Sequence, residues 1–187
     1  MKKGLEDMAR IYFTRHGQTI WNVENKICGA TDIALTTLGR EQARALGQQI
    51  LAEHLLIDEI LYSPLIRARD TALEVSQITG LPAREEIRLT EQKFGKYEST
   101  PRDGAEFQEA KKSFINHFGH GETMLHLAQR IYNLLDELRT QEKTYLLVAH
   151  NGIARVVHSY FYDMGNEEYA AFGIRNCEIR EYQFPIE

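Results

Sequence analysis

The chain has 187 residues, 43% hydrophobic and 26% charged, the balance of an ordinary soluble globular domain with one substantial core. Its formal net charge of −5 gives no global electrostatic support to nucleic-acid binding, and its two cysteines, Cys28 and Cys177, stand far apart and in no CxxC pairing, against a disulfide framework or a thiolate metal site. No apolar run approaches membrane-spanning length, and the opening Met1-Lys2-Lys3-Gly4-Leu5-Glu6-Asp7 turns acidic before an apolar stretch develops, so neither a membrane span nor a signal peptide is expected and the cytoplasm is the expected compartment.

Residues 10–14 are short, apolar and β-prone and predict a buried strand. Thr36 or Thr37 is the expected N-cap of a helix whose Leu38, Gln42, Leu46 and Ile50 recur at helical spacing. Residues 59–62 predict a second strand, stopped by Ser63-Pro64. A helical face follows on Leu65, Ala68, Ala72, Val75 and Thr79 and ends at Gly80-Leu81-Pro82. Residues 87–89 are read as a third, short strand. Between 98 and 121 the periodicity weakens, and Pro101, Gly104, Gly119 and Gly121 punctuate a polar, cap-like excursion with one helix at about 105–114. Thr123 then caps a strongly amphipathic helix carrying Leu127, Ile131, Leu134, Leu135 and Leu138. Residues 144–149 make the clearest strand, Asn151 is the expected cap of a helix bearing Ile153, Val156, Val157 and Tyr160, and residues 179–184 close the chain as a strand. Strands alternating with helices predict a single α/β domain over 1–187, a three-layer arrangement with a mostly parallel central sheet.

Three of these junctions carry ionisable side chains. Arg15 and His16 follow the first strand, Arg67 follows the second, and His150 follows residues 144–149. In a parallel sheet the carboxyl ends of the strands lie along one edge, where ligands bind, so these four side chains are expected in one cleft. Two arginines, two histidines and helix N-termini make a strong anion site, since the arginine fork matches phosphate oxygens and helix amides add to the attraction. The same positive field should hold His16 neutral, and a neutral imidazole has a lone pair that can attack phosphorus. Taken singly, each residue has a plainer reading: Arg67 as a helix-surface ion-pair partner, His150 as a strand end. Their joint placement favours chemistry. Gly17 is expected to let the backbone approach the ring or a ligand closely.

The run Arg15-His16-Gly17-Gln18-Thr19-Ile20-Trp21-Asn22, followed by Thr31-Asp32, Leu35-Thr36 and Gly39–Ala43, resembles the histidine phosphatase superfamily, the phosphoglycerate mutase-like proteins. Ser63-Pro64 with Arg67-Ala68 and Thr71-Ala72, Leu89-Thr90-Glu91 through Phe94-Gly95, Gly121-Glu122-Thr123 with Arg130, and His150 with Gly152 and Arg155 extend the resemblance over nearly the whole chain. It implies a phosphoglycerate mutase-like fold, with His16 as the nucleophile that becomes phosphohistidine. Arg15, Arg67 and His150 would hold the phosphoryl oxygens, and Glu91 would protonate the leaving oxygen and then help activate water. Gln18 and Asn22 are implied as phosphate or substrate neighbours. Cys28-Gly29 stands where relatives carry a polar residue near the substrate, Lys26 replaces a common arginine, Tyr97-Glu98-Ser99 replaces Trp-Glu-Gly, and Asn151 replaces a frequent glycine. These positions, with the lining from 98 to 119, bear on which small phosphorylated metabolite is the substrate.

The expected activity is metal-independent hydrolysis of phosphomonoesters, with no cofactor, no nucleic-acid or membrane partner, and the oligomeric state left open. One alternative is a phosphoglycerate mutase, which must shield its phosphoenzyme from water. The resemblance implies that part of that shielding comes from a long insertion, and the short span here between Glu91 and His150 favours an open cleft and hydrolysis. A second is a non-catalytic phospho-ligand-binding module, disfavoured because His16, Glu91 and the arginines are all present. A third is metal hydrolysis through His117, His120, Glu122 and His126, which lack a recognised ligand spacing and read as solvated loop side chains.

Overall fold

The computed structural model describes residues 9–185, so the expectation about residues 1–7 lies outside them. In chain order the elements are β1 (Arg10–Arg15), α1 (Ile20–Val23), α2 (Thr37–Ala52), β2 (Glu59–Tyr62), α3 (Ile66–Thr79), β3 (Ala83–Glu85), α4 (Ala105–Ala110), α5 (Met124–Leu138), β4 (Tyr145–Ala149), α6 (Asn151–Phe161), α7 (Asn166–Ala171) and β5 (Ile179–Gln183). The sheet order is β3-β2-β4-β1-β5, parallel except for the antiparallel edge strand β5.

Side-chain alternation along the central strands divides the interior into two layers. Ile11, Phe13, Leu61, Leu147 and Ala149 face α5 and α6, joining Leu127, Ile131, Leu135, Ile153 and Val157. Tyr12, Ile60, Leu146 and Val148 face α2 and α3, joining Leu46, Ile50, Ala68, Ala72 and Val75. Every residue of β4 is buried, as a strand covered on both faces requires. The expected three-layer α/β fold is the one observed.

The excursion after residue 98 packs around a third, smaller cluster of Ile27, Tyr97, Phe107 and Phe118, with Phe94 and Ala110 against it. Phe94 meets Phe107 and Phe118 edge-on at 5.5 and 5.6 Å between ring centres. Backbone hydrogen bonds tie the segment to the loop after α1: Ile27 N–H donates to the Thr100 carbonyl and Ser99 N–H to the Ile27 carbonyl.

Several local expectations are corrected. The third strand is Ala83–Glu85, whose polar residues pair in parallel with β2, while Ile87–Leu89 is a 3₁₀ turn with Ile87 exposed and Leu89 buried. Leu46 and Ile50 are buried as expected, whereas Leu38 is 47% exposed and Gln42 is half-buried, and Gly39, Ala43 and Gly47 complete the buried face of α2. The helix of the excursion is shorter than expected, ending at Ala110. Thr36 and Thr123 cap α2 and α5 as expected, accepting from Gly39 N–H and His126 N–H at 3.0 and 3.1 Å. His150, not Asn151, stands at the N-cap position of α6, its extended backbone (φ −132°) continuing the strand and its side chain making no capping hydrogen bond. Leu135→Ala, at a fully buried position, is expected to cost about 2–5 kcal/mol in urea denaturation, whereas Leu38→Ala should stay within about 0.5 kcal/mol.

Candidate active site

β1, β2 and β4 end side by side: Arg15 is in register with Ala149, and Tyr62 with Val148. The chain leaving β1 crosses to β2 while the chain leaving β4 runs towards β5, so a crevice opens between β1 and β4. His16 follows directly, its N–H donating to the Ala149 carbonyl at 3.0 Å. The loop after it packs backbone to backbone on the start of α2: a β-carbon on Gly17 would collide with the Gly39 carbonyl, and one on Gly39 with the Gln18 carbonyl. The close approach that Gly17 permits is therefore to α2. Gly17 N–H also donates to Thr71 Oγ1 at 3.0 Å, and that hydroxyl donates to the Arg67 carbonyl at 2.7 Å, joining the loop to α3.

His16 is 4% exposed and its Nδ1 lies 2.7 Å from the Gly17 carbonyl. A carbonyl only accepts, so the proton sits on Nδ1 and Nε2 keeps its lone pair. Burial first, then the fields of Arg67 and Arg15, push the imidazole well below its usual titration range. His150, fully buried, has its ring centre 5.2 Å from that of His16 and is held neutral in the same way, by burial and then Arg67. Its Nε2 meets Ser63 Oγ at 2.7 Å, while Nδ1 is buried without a protein partner.

Glu91, 5% exposed, reaches the same place from the turn after β3. Its Oε1 accepts from Gln92 N–H at 2.9 Å and its Oε2 from Gly152 N–H at 3.0 Å, so a distant carboxylate takes one of the free amides at the start of α6. A β-carbon on Gly152 would strike Glu91 Oε1. Asp32 acts likewise at α3, accepting from Ile66 N–H at 2.7 Å.

A cavity of about 220 Å³ is lined by Arg15, His16, Asn22, Cys28, Glu91 and Asn151, all expected there, and by Gly152. Asn22 Oδ1 accepts from Thr19 N–H at 3.0 Å and from Asn176 Nδ2 at 3.3 Å, which leaves its own amide as a donor. Asn151 Oδ1 accepts from Ile174 N–H at 3.0 Å. Burial raises the Cys28 thiol to about 11, keeping it protonated. Four expected residues lie outside this lining. Arg67 is fully buried behind it, donating to the Thr31 and Gly29 carbonyls at 2.9 and 2.7 Å with Nε unpartnered. His150 touches the site through His16. Gln18 does not reach the cleft, because its Oε1 accepts from Thr36 Oγ1 at 3.0 Å. Gly29 serves as a crossing point for Arg67 and for Glu98, whose carboxylate accepts from the N–H groups of Gly29, Ala30 and Phe94 and from Thr31 Oγ1.

The excursion brings lining residues that the sequence reading passed over: Arg102, Phe107, Gln108 and Lys111. Arg155 of α6 joins them. Nothing in the spacing of the four excursion residues marks them, and along residues 98–121 Arg102, Lys111 and Lys112 are interleaved with Glu98, Asp103, Glu106 and Glu109, whereas Arg155 belongs to the resemblance given above. The histidine cluster of the metal alternative does not assemble: Glu122 is engaged bidentately by Arg130 at 2.8 Å, and no group of three metal-ligating side chains occurs among the described residues. No helix among them is long and apolar enough to cross a membrane.

The family model for the histidine phosphatase superfamily (branch 1) matches residues 11–185. A relative from Erwinia tasmaniensis, named probable phosphoglycerate mutase GpmB, is 30% identical over 181 residues, which cover 92% of this chain and 83% of the relative. Among solved structures, a mycobacterial glucosyl-3-phosphoglycerate phosphatase in complex with VO3 is 27% identical with a TM-score of 0.79, over 92% of this chain and 90% of that one. A putative alpha-ribazole-5'-P phosphatase from Escherichia coli is 24% identical with a TM-score of 0.81, over 94% and 90%, a likeness of fold.

The two neutral, buried imidazoles have a consequence for stability. Unfolded histidines take up protons below about pH 6.5, and His16 and His150 do not while folded. Stability is therefore expected to fall as pH drops below 6.5, by up to about 1.4 kcal/mol per pH unit for each ring. Urea denaturation at pH 7.5, 6.0 and 5.5 reads the slope, and His16→Gln should remove about half of it.

Proposed function

The chain belongs to the histidine phosphatase superfamily, and we propose that it is a metal-independent phosphatase of small phosphomonoesters that works through a phosphohistidine at His16. The observation that carries this reading is the neutral His16 ring, with its Nδ1 proton committed to the Gly17 carbonyl and its Nε2 lone pair in a cleft walled by cations. Nε2 attacks phosphorus, and the ester P–O bond breaks opposite it. Glu91, fixed by two backbone amides, gives a proton to the departing oxygen. Water then attacks the phosphohistidine, Glu91 takes a proton from it, the N–P bond breaks and inorganic phosphate leaves.

Among the described residues, Arg15 Nε, Arg67 Nε and His150 Nδ1 are the buried side-chain polar atoms without protein partners, and phosphoryl oxygens would satisfy those of Arg15 and His150. Ser63 Oγ accepts from Leu65 N–H at 3.4 Å, leaving its hydroxyl proton for His150 Nε2. His150 Nδ1 then carries the ring proton and donates to the phosphoryl group as negative charge builds. Arg67 acts from behind, through its charge and by holding the 29–31 loop. Arginines supply the field that a metal ion would otherwise provide.

The mutase name of the relatives is the second reading. Transfer to a second hydroxyl demands that water be kept out while the intermediate reorients. The cavity instead meets solvent at Gln108, an exposed residue of the excursion. Hydrolysis is therefore the proposed outcome.

Acid-quenched enzyme should carry label from a phosphomonoester on His16, and His16→Ala should lose both label and turnover. Glu91→Gln should slow alkyl phosphates by about 100-fold or more while sparing activated aryl phosphates, whose leaving groups need no proton. Incubation with 3-phosphoglycerate and a trace of 2,3-bisphosphoglycerate should release phosphate. Rapid formation of 2-phosphoglycerate without that release would favour the mutase.

A further inference from the structure

Three successive peptide units carry the nucleophile, and each is gripped from both sides. Between residues 15 and 16, the Arg15 carbonyl accepts from Cys177 N–H at 2.8 Å and His16 N–H donates to the Ala149 carbonyl at 3.0 Å. Between 16 and 17, the His16 carbonyl accepts from Asn176 Nδ2 at 2.7 Å and Gly17 N–H donates to Thr71 Oγ1 at 3.0 Å. Between 17 and 18, the Gly17 carbonyl accepts from His16 Nδ1 at 2.7 Å and Gln18 N–H donates to Gln42 Oε1 at 2.9 Å. β4, α3 and α2 supply the partners of the N–H groups in turn. The first two carbonyls are held by Cys177 and Asn176, in the segment between α7 and β5.

That segment also reaches other residues of the cleft. Ile174 N–H donates to Asn151 Oδ1 at 3.0 Å, and the Ile174 carbonyl accepts from Arg15 Nη1 at 3.1 Å. Asn176 lies beside Arg15 in a parallel bridge, and Cys177 after it is held at a φ of +57°, a left-handed conformation that surrounding contacts must sustain.

Asn176 Nδ2 has a second acceptor, Asn22 Oδ1, at 3.3 Å. Neither amide is free to turn over. The His16 carbonyl only accepts, so it faces Asn176 Nδ2, and Thr19 N–H only donates, so it faces Asn22 Oδ1. Asn22 Nδ2 is thereby left for the cavity that Asn22 and His16 both line, whereas Asn176 does not line it.

We propose, on the premise of the phosphatase reading, that Asn176 is a positioning residue for phosphoryl transfer. Its amide ties the peptide that carries the nucleophile to the side chain that donates to a phosphoryl oxygen, and so fixes the separation of His16 and Asn22. Without it each keeps a partner of its own, Thr71 through the Gly17 amide or Thr19, but no common one, and the two shift independently. A misplacement of about 1 Å between nucleophile and phosphorus costs roughly 100-fold in rate. Arg15 and His150 still hold the phosphate, so the loss falls on transfer to His16 more than on KM.

The test is a double-mutant cycle on Asn176→Ala and Asn22→Ala, read by the single-turnover release of p-nitrophenol from p-nitrophenyl phosphate, which needs no proton from Glu91. Asn176→Ala should slow release by about 30-fold or more with KM changed by about threefold or less. The double variant should be no more than about threefold slower than the slower single one, because the two side chains act as a unit. Arg175→Ala, an exposed change in the same segment, should stay within about twofold, which separates the Asn176 amide from general loosening. Should Asn176→Ala fail to fold, Asn176→Asp replaces it in the cycle, since its added charge acts in both backgrounds and cancels. A lowered urea midpoint with the rate of the folded chain unchanged makes Asn176 merely structural and overturns the proposal, as do losses that multiply in the double variant. If the wild-type chain hydrolyses no phosphoester, the phosphatase reading falls and the same cycle is read on the dissociation constant of orthovanadate by calorimetry. There, a loss of about fivefold or more for Asn176→Ala that vanishes in the Asn22→Ala background supports the coupling, and an equal loss in both backgrounds overturns it.

Discussion

The hydrogen bond from His16 Nδ1 to the carbonyl of its own neighbour, Gly17, sets the terms for the rest of the site. It assigns the ring proton to the side away from the substrate and does so with a backbone atom, which no side-chain motion can withdraw. That carbonyl is itself pinned, since Gly17 and Gly39 bring the loop and α2 to backbone contact and Thr71 holds the Gly17 amide. A protonated His16 would have no lone pair, and burial among arginines removes that state. Catalytic competence and the close packing of β1 against α2 are thus one requirement met by the same few atoms.

The fold was legible in the sequence because its signals are local and cumulative. Alternation in β1 and β4 and the stripes on α5 and α6 are written in consecutive residues, and Thr36 and Thr123 cap the helices they precede. The misreadings have separate causes. The starts of α3 and α6 have no side-chain cap of their own and are served by Asp32 and Glu91, which arrive from loops far away in sequence. The edge strand β3 is polar, while the apolar pair Ile87 and Leu89 belongs to a turn that buries one of them. Arg15, His16 and His150 were legible as a constellation because strand ends converge by topology. Arg102 and Lys111 were not, because their placement depends on how an irregular segment folds back on the loop at residues 25–28. Ser99 belongs to the same class: its φ of +67° lies in the left-handed region that favours glycine, and Glu98 beside it anchors the loop at residues 28–31.

Charge is distributed according to use. Arginines on the outer face of α2 are paired with acids on α3, the pairing that exposed helices adopt at little gain in stability. Those facing the crevice hold backbone carbonyls instead, which fixes their position without neutralising them. A carbonyl partner orients a guanidinium and leaves its field available, whereas a carboxylate would cancel it. That difference lets a chain with net charge −5 present a strongly positive pocket.

The aromatic cluster beneath the excursion shares no residue with either layer beside the sheet. Remodelling Phe107 or its neighbours would therefore disturb a few rings and leave the strands that carry His16 and His150 untouched. Such a partition makes the segment a replaceable module: a lineage could exchange what it accepts for hydrolysis many times over while inheriting one unchanged phosphoryl-transfer apparatus.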